Sequence, residues 1–162
     1  MEKKIQPTSQ GPQLDPNLVL SRAVHSDLNA IYNLEAEHYQ VEGQTPKETL
    51  EKYFTLGYIF LVVKATSGKL VGNIIVGRPR VNPYIYALTI AKNYQNQGLA
   101  KVLLTQALKI CKENGDKNIY LHVRVNNKPA VKLYLKNGFK YKKVIPGYYP
   151  TCPAYLMTSK IL

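Results

Sequence analysis

The sequence predicts an α/β fold, a mixed and mostly antiparallel central sheet in a three-layer α/β/α arrangement. Three observations carry this. Runs of β-branched and aromatic residues alternate with apolar-periodic segments in the order β-α-α-β-β-β-α-β-α-β-β. A strand-like run over 84–91 feeds through a glycine-containing turn into the strongest helical pattern of the chain. At 162 residues, the chain is long enough to bury one sizeable core.

Each element has its own signal. Residues 1–17 are polar and carry Pro7, Pro12 and Pro16, so they read as a disordered leader before a single domain over 18–162. A first strand is expected over 18–23. Ser26 and Asp27 suit an N-cap, and Leu28, Ile31, Tyr32 and Leu34 give a helix to about His38. A turn over 42–44 precedes a second helix, capped by Thr45, with Pro46 in its first turn and Gly57 at its end. Strands follow over 58–65 and 69–78, joined by a hairpin turn at Ser67 and Gly68, and then over 84–91. Leu99, Leu103, Ala107 and Ile110 share one face of a helix over 98–114, with Gly115 as its C-cap. A strand over 119–125 leads to a helix capped by Asn127, with Pro129 in its first turn and Asn137 and Gly138 as its stop. Two strands, 139–144 and 154–161, close the pattern.

Composition narrows the function classes. No run of about 18 apolar residues exists and the N-terminus lacks an apolar h-region, so neither a membrane span nor a secretory signal is expected. Cys111 and Cys152 fit no metal spacing, and Cys111 reads as a small buried hydrophobe. A cytoplasmic protein without a metal is the expectation. The net charge is +12, and the stretch 92–143 holds twelve Lys/Arg against two acids, Glu113 and Asp116. Such a basic half is either a solvated surface or a holder of an anionic partner, be it a phosphorylated small molecule, RNA or a ribosome.

The turn before the strongest helix reads Y-Q-N-Q-G-L-A, from Tyr94 to Ala100. A glycine turn opening a helix presents unpaired N–H groups at the positive end of the dipole, a ready phosphate site. Q-x-x-G-x-A at Gln95, Gly98 and Ala100 resembles the pyrophosphate loop of the GCN5-related N-acetyltransferases, the GNAT family. The string V-x-x-x-N-x-x-A-x-x-L-Y-x-x-x-G-F, ending at Phe139, strengthens the resemblance, which covers roughly residues 18–162. The Tyr148–Tyr149 pair before the last strand is similar to the protein N-terminal α-amino acetyltransferases within that family, including RimI-type enzymes and the NatE catalytic subunit.

The resemblance implies acetyl-CoA as donor, CoA as product and a protein or peptide N-terminus as acceptor. It places the pantetheine arm on the backbone of Leu88, Thr89 and Ile90. The pyrophosphate falls on the amides of Gln95, Asn96, Gln97, Gly98, Leu99, Ala100 and Lys101. Asn127, Ala130 and Tyr134 line the far side. Many relatives carry Arg in the loop, where this chain has Gln-Asn-Gln; Lys101 is the substitute charge. Gly98 lets the backbone approach a phosphate without a Cβ.

Amine acetylation needs a deprotonated amine, a stabilised oxyanion and a proton for the leaving thiolate. An α-amino group has a pKa near ~8, against ~10.4 for lysine, so modest base assistance suffices. His122, mid-strand in L-H-V-R, is the candidate base by this resemblance; the residues alone equally allow a His satisfied within a sheet. Tyr84 matches a tyrosine that works beside such a His through water, and Tyr134 matches the family's general acid. Tyr148 and Tyr149 would hold the substrate backbone. Glu35, His38 and Tyr39 fall where the family shapes the pocket for the first substrate side chain. Glu35 is either an anion for the α-ammonium or a solvated helix carboxylate. Lysine side chains and small amines such as polyamines are alternative acceptors, and a non-catalytic basic docking module is the alternative of another class.

Overall fold

Eleven elements follow in the predicted order: β1 (Leu18–Arg22), α1 (Leu28–His38), α2 (Lys47–Thr55), β2 (Ile59–Ala65), β3 (Leu70–Gly77), β4 (Tyr84–Ile90), α3 (Leu99–Glu113), β5 (Asn118–Arg124), α4 (Lys128–Lys136), β6 (Lys140–Ile145) and β7 (Ala154–Lys160). The structure, a computed structural model, describes residues 4–5, 13–39 and 44–162. Residues 42 and 43 of the turn expected over 42–44 and most of the expected leader lie outside these residues. Within that leader, Lys4 bridges Ser21 and the Ile5 N–H donates to the Leu20 carbonyl (3.1 Å), so these two residues dock on the edge of β1.

The described strands form one seven-stranded sheet in the order β1-β2-β3-β4-β5-β7-β6. All neighbours are antiparallel except β4 and β5. β3 is an interior strand, between β2 and β4, and is buried along its whole length, which its run of apolar residues permits. Alternate residues of a strand point to opposite faces. Asn73 turns toward Glu35 of α1, while the α-carbon of Gly72 backs onto Leu103 of α3. The two helices therefore cover opposite faces, which gives the three layers. Among the described residues, no helix is long and apolar enough to cross a membrane.

Two predicted caps are corrected. Asp27 does not cap α1 with its side chain. A single 3-10 turn, His25–Asp27, precedes the helix, and the Asp27 carboxylate reaches back to accept from the Val24 N–H (2.9 Å). That carboxylate also pairs with Lys64 on β2 (2.8 Å), tying the start of α1 to the sheet. Pro46, not Thr45, is the N-cap of α2, and Thr45 turns its N–H to Glu35 instead. The Asn127 cap is as predicted, its side chain accepting from the Ala130 N–H (3.3 Å).

The parallel pair positions the site. Among the described residues, β4 and β5 pair only at Tyr84–Tyr120 and Ile85–Leu121. Beyond these two rungs the strands diverge and leave a wedge in the sheet, with α3 entering beside β4 and α4 beside β5.

Candidate active site

The wedge opens into two connected hollows. The narrower, about 110 Å³, is lined by Tyr39, Leu88, His122, Arg124, Tyr134 and Tyr149, among others. The wider, about 450 Å³, runs from Leu88–Ile90 past the turn at 95–101 to Asn127, Ala130 and Tyr134. Leu88, Asn127, Ala130, Tyr39 and Tyr134 belong to both, so they form one cleft. A larger hollow of about 820 Å³, lined by Thr105, Leu108 and Lys109 of α3 and by Tyr120, Lys140 and Lys160 among others at the β5–β7–β6 end of the sheet, holds none of the predicted site residues.

The turn is built by two left-handed residues, Asn96 (φ 61°) and Gly98 (φ 80°). Nothing lies within 4 Å of a Cβ added at Gly98, so glycine is required there by its conformation, and not by close packing in the protein as it stands. Positive φ costs an L-residue about 1–2 kcal/mol. Gln95 ties the turn down: its Nε2 donates to the Ile90 carbonyl (3.1 Å) and to His38 Nε2 (3.1 Å). His38 completes the link by donating from Nδ1 to the Leu34 carbonyl (3.1 Å), which fixes its tautomer. Gln97 differs from expectation. Its side chain folds back on the Asn93 carbonyl (3.4 Å), and the residue does not line the cleft. Gln95, Asn96, Gly98, Leu99, Ala100 and Lys101 do line it, as do Thr89 and Ile90.

On β5, His122 Nδ1 shares a hydrogen bond with the Tyr84 hydroxyl (2.5 Å). Tyr148 stacks on the imidazole, with centroids 4.2 Å apart and planes at 15°. Tyr149 meets Tyr148 edge-on (4.8 Å), and the Arg124 guanidinium lies 4.1 Å over the Tyr149 ring. Arg124 also donates to Thr151 Oγ1 (3.1 Å), so it braces the β6–β7 loop against β5. Sequence reasoning missed Arg124, because nothing in L-H-V-R announces which loop will fold over the arginine.

Burial shapes the titration here. It pushes the His122 imidazole below its ordinary value, and the Lys143 ammonium pushes it further down. The ring is therefore neutral at pH 7. Burial raises the Tyr84 and Tyr134 phenols above the ordinary tyrosine range, and Tyr149 is pushed up to about 12 for the same reason, so all three keep their protons. Tyr134 is buried against Phe139 (5.4 Å) where the two hollows join.

Glu35 corrects an expectation. It is neither solvated nor on the cleft. It is 1 % exposed, and its Oε2 accepts from the Thr45 N–H (3.4 Å). Leu28, Ile31 and Glu35 fall on one helical face, and that face is the buried one. Burial raises the Glu35 carboxyl to about 7. Its Oε1, both polar atoms of the Asn73 side chain and Thr89 Oγ1 have no hydrogen-bond partner among the described residues.

A profile described as the Acetyltransferase (GNAT) family matches residues 28–139. The chain belongs to the GNAT family. Over 80 residues, this GNAT is 38 % identical to an N-alpha-acetyltransferase of Saccharolobus solfataricus, a match covering 48 % of each chain. The match thus spans about half the length of that curated relative. Two solved structures share the fold. The ribosomal-protein-S18-alanine N-acetyltransferase from Escherichia coli superposes with a TM-score of 0.80 at 24 % identity, covering 89 % of this chain and 94 % of the other. Ard1 from Thermoplasma volcanium does so at 0.81 and 21 %, covering 90 % and 99 %.

Proposed function

We propose that this GNAT is an acetyl-CoA-dependent N-acetyltransferase acting on the N-terminal α-amino group of proteins or peptides. The observation that carries the reading is the joining of two sites in one cleft. The left-handed turn at the start of α3 lies at one end, and the Tyr84–His122 pair under Tyr148 lies at the other.

The residues fit the donor. The turn and the first turn of α3 would offer their amides to a phosphate at a positive dipole end, and Lys101 adds a charge. The unpaired edge of β4 over Leu88–Ile90 offers backbone groups to an amide-bearing arm. When bound, acetyl-CoA supplies an activated acyl carbon and a leaving thiolate.

The protein's part follows from the proton states. His122 is neutral at pH 7 and takes the amine proton. This role uses the tautomer in which Nδ1–H donates to the Tyr84 oxygen and leaves the Nε2 lone pair free. Tyr84 orients the ring, and Tyr148 shields one face of it from water. Tyr134 keeps its phenolic proton and holds it where the hollows meet, within reach of a departing group. Tyr148 and Tyr149 wall the acceptor side, with Tyr39 and His38 across the cleft.

The test is acetyl transfer to a peptide panel varying the first two residues, each paired with an N-terminally blocked peptide carrying an internal lysine. Turnover on free N-termini alone is expected. Turnover on blocked lysine peptides moves the protein to the lysine class. Acetyl-CoA binding without turnover on either points to a small amine or to a missing partner subunit. Failure to bind acetyl-CoA overturns the reading.

A further inference from the structure

The half-sheet of β5, β7 and β6 has two faces of opposite character. Ile119, Leu121, Val123, Met157 and Ser159 turn one way and are buried. The other face follows from the ladder, because residues directly opposite across a sheet share a face. His122 pairs with Leu156, which pairs with Lys143. Tyr120 pairs with Thr158, which pairs with Lys140. Asn118 pairs with Lys160. A register shift between Tyr141 and Lys143 frees Lys142, whose ammonium lies 4.9 Å over the Tyr120 ring. None of these residues is buried, and all four lysines are exposed.

The open face is therefore a row of lysines descending from the catalytic histidine. It carries no acidic side chain on these three rungs, and among the described residues no ion pair involves Lys140, Lys142, Lys143 or Lys160. The row is continuous with the cleft, since the Lys143 charge is felt at His122 and Tyr148 caps the same ring. At ~3.4 Å per residue, the Lys140 and Lys160 rungs lie ~7 and ~14 Å from His122. An extended peptide advances at nearly the same pitch. With its first residue at His122, its third residue reaches the second rung and its fifth the third.

We propose that this lysine row selects acidic protein N-termini, binding Asp and Glu at about the third to fifth substrate positions. Its placement of the first residue rests on the acyl-transfer reading above. A nucleic acid would find the same charges, but nothing in its chemistry calls for a row that begins at His122; a peptide whose first residue sits there and whose chain follows the ladder meets the lysines in register.

Three fluorescent peptides share their first two residues and carry Asp/Glu, Ser/Gly or Lys at positions three to five. They are compared by kcat/KM and, with CoA present, by anisotropy. The acidic peptide should exceed the lysine peptide at least about tenfold at low ionic strength, mostly through KM, and the gap should close toward ~0.5 M salt. The triple variant Lys140→Glu, Lys142→Glu, Lys160→Glu should reverse the order and leave the Ser/Gly peptide within about twofold. A Lys142→Glu single variant should give a partial reversal, which guards against misfolding of the triple. Equal use of the three peptides, or an order unchanged by reversal, overturns the proposal. So does binding of a single-stranded RNA that the reversals abolish while peptides go undiscriminated. If no peptide is acetylated but anisotropy still ranks them by charge and the ranking reverses, the acyl-transfer reading fails and the lysine row stands.

Discussion

Replacing Glu35 with Gln should stabilise the protein above neutral pH, against the usual cost of altering a buried residue. The carboxyl is 1 % exposed and raised from 4.5 to about 7 by burial. Between those two values the folded state binds more protons than the unfolded state, so stability falls as pH rises from 4.5 to about 7 and stays reduced above it. At 1.36 kcal/mol per unit, the ionised carboxylate costs up to about 3 kcal/mol. Gln keeps an acceptor for the Thr45 N–H and brings a donor to the unpartnered Asn73 Oδ1. Urea melts from pH 4 to 9 would read the effect. Wild type should lose stability across the window while Glu35→Gln stays flat, and the variant should lead at pH 8 by about 1–3 kcal/mol, or about 2–4 °C in Tm per kcal/mol. A variant less stable than wild type at pH 8 would refute the reasoning, since it would mean that the charge is wanted where it sits.

Other perturbations separate chemistry from packing. His122→Ala should lower kcat by about 10²–10⁴ with little change in acetyl-CoA affinity, measured by steady-state kinetics and calorimetry. An unchanged kcat would remove His122 from the mechanism. Tyr84→Phe keeps the ring but loses the hydrogen bond to Nδ1, so kcat should fall less than for His122→Ala while the thermal melt barely moves. Lys143→Gln removes a charge that holds the His122 pKa down, so the acid limb of the kcat/KM profile should move to higher pH; the base form is lost as pH drops through that pKa. Gly77→Ala would drive a Cβ into the Tyr58 ring, which stacks on Tyr53 and Tyr86. Denaturant melts should show a loss of about 1–3 kcal/mol.

The strands were legible within a residue or two because Gly and Pro punctuate them: Gly68 turns β2 into β3, and Pro83 stands just before β4. The helix starts were equally legible, but the side-chain caps of α1 and α2 were not: a 3-10 turn precedes α1, and the Asp27 carboxylate reaches back to the Val24 N–H. Glu35 carried a signal that was passed over: its spacing from Leu28 and Ile31 places it inward. The turn at 95–101 was readable, yet the fates of Gln95 and Gln97 were not, since one bonds across to α1 and the other to its own loop. Arg124 and the lysine row were invisible for a different reason. Both depend on β7 lying between β5 and β6, a pairing set by tertiary contacts far apart in the chain.

The short β4–β5 pairing makes this sheet two sheets hinged at a pair of rungs. The facing edges over Leu88–Ile90 and His122–Arg124 are interior yet unzipped, and the amides on them should exchange with solvent far faster than those of β3. A molecule lying in the wedge takes the place of a missing strand, and occupancy becomes part of the fold's own cooperativity. On the acyl-transfer reading, the donor then adds to stability by mass action, at about 2.7 kcal/mol for a hundredfold excess over Kd. On that reading, donor supply would tune how much of this protein is intact, as well as how fast it works.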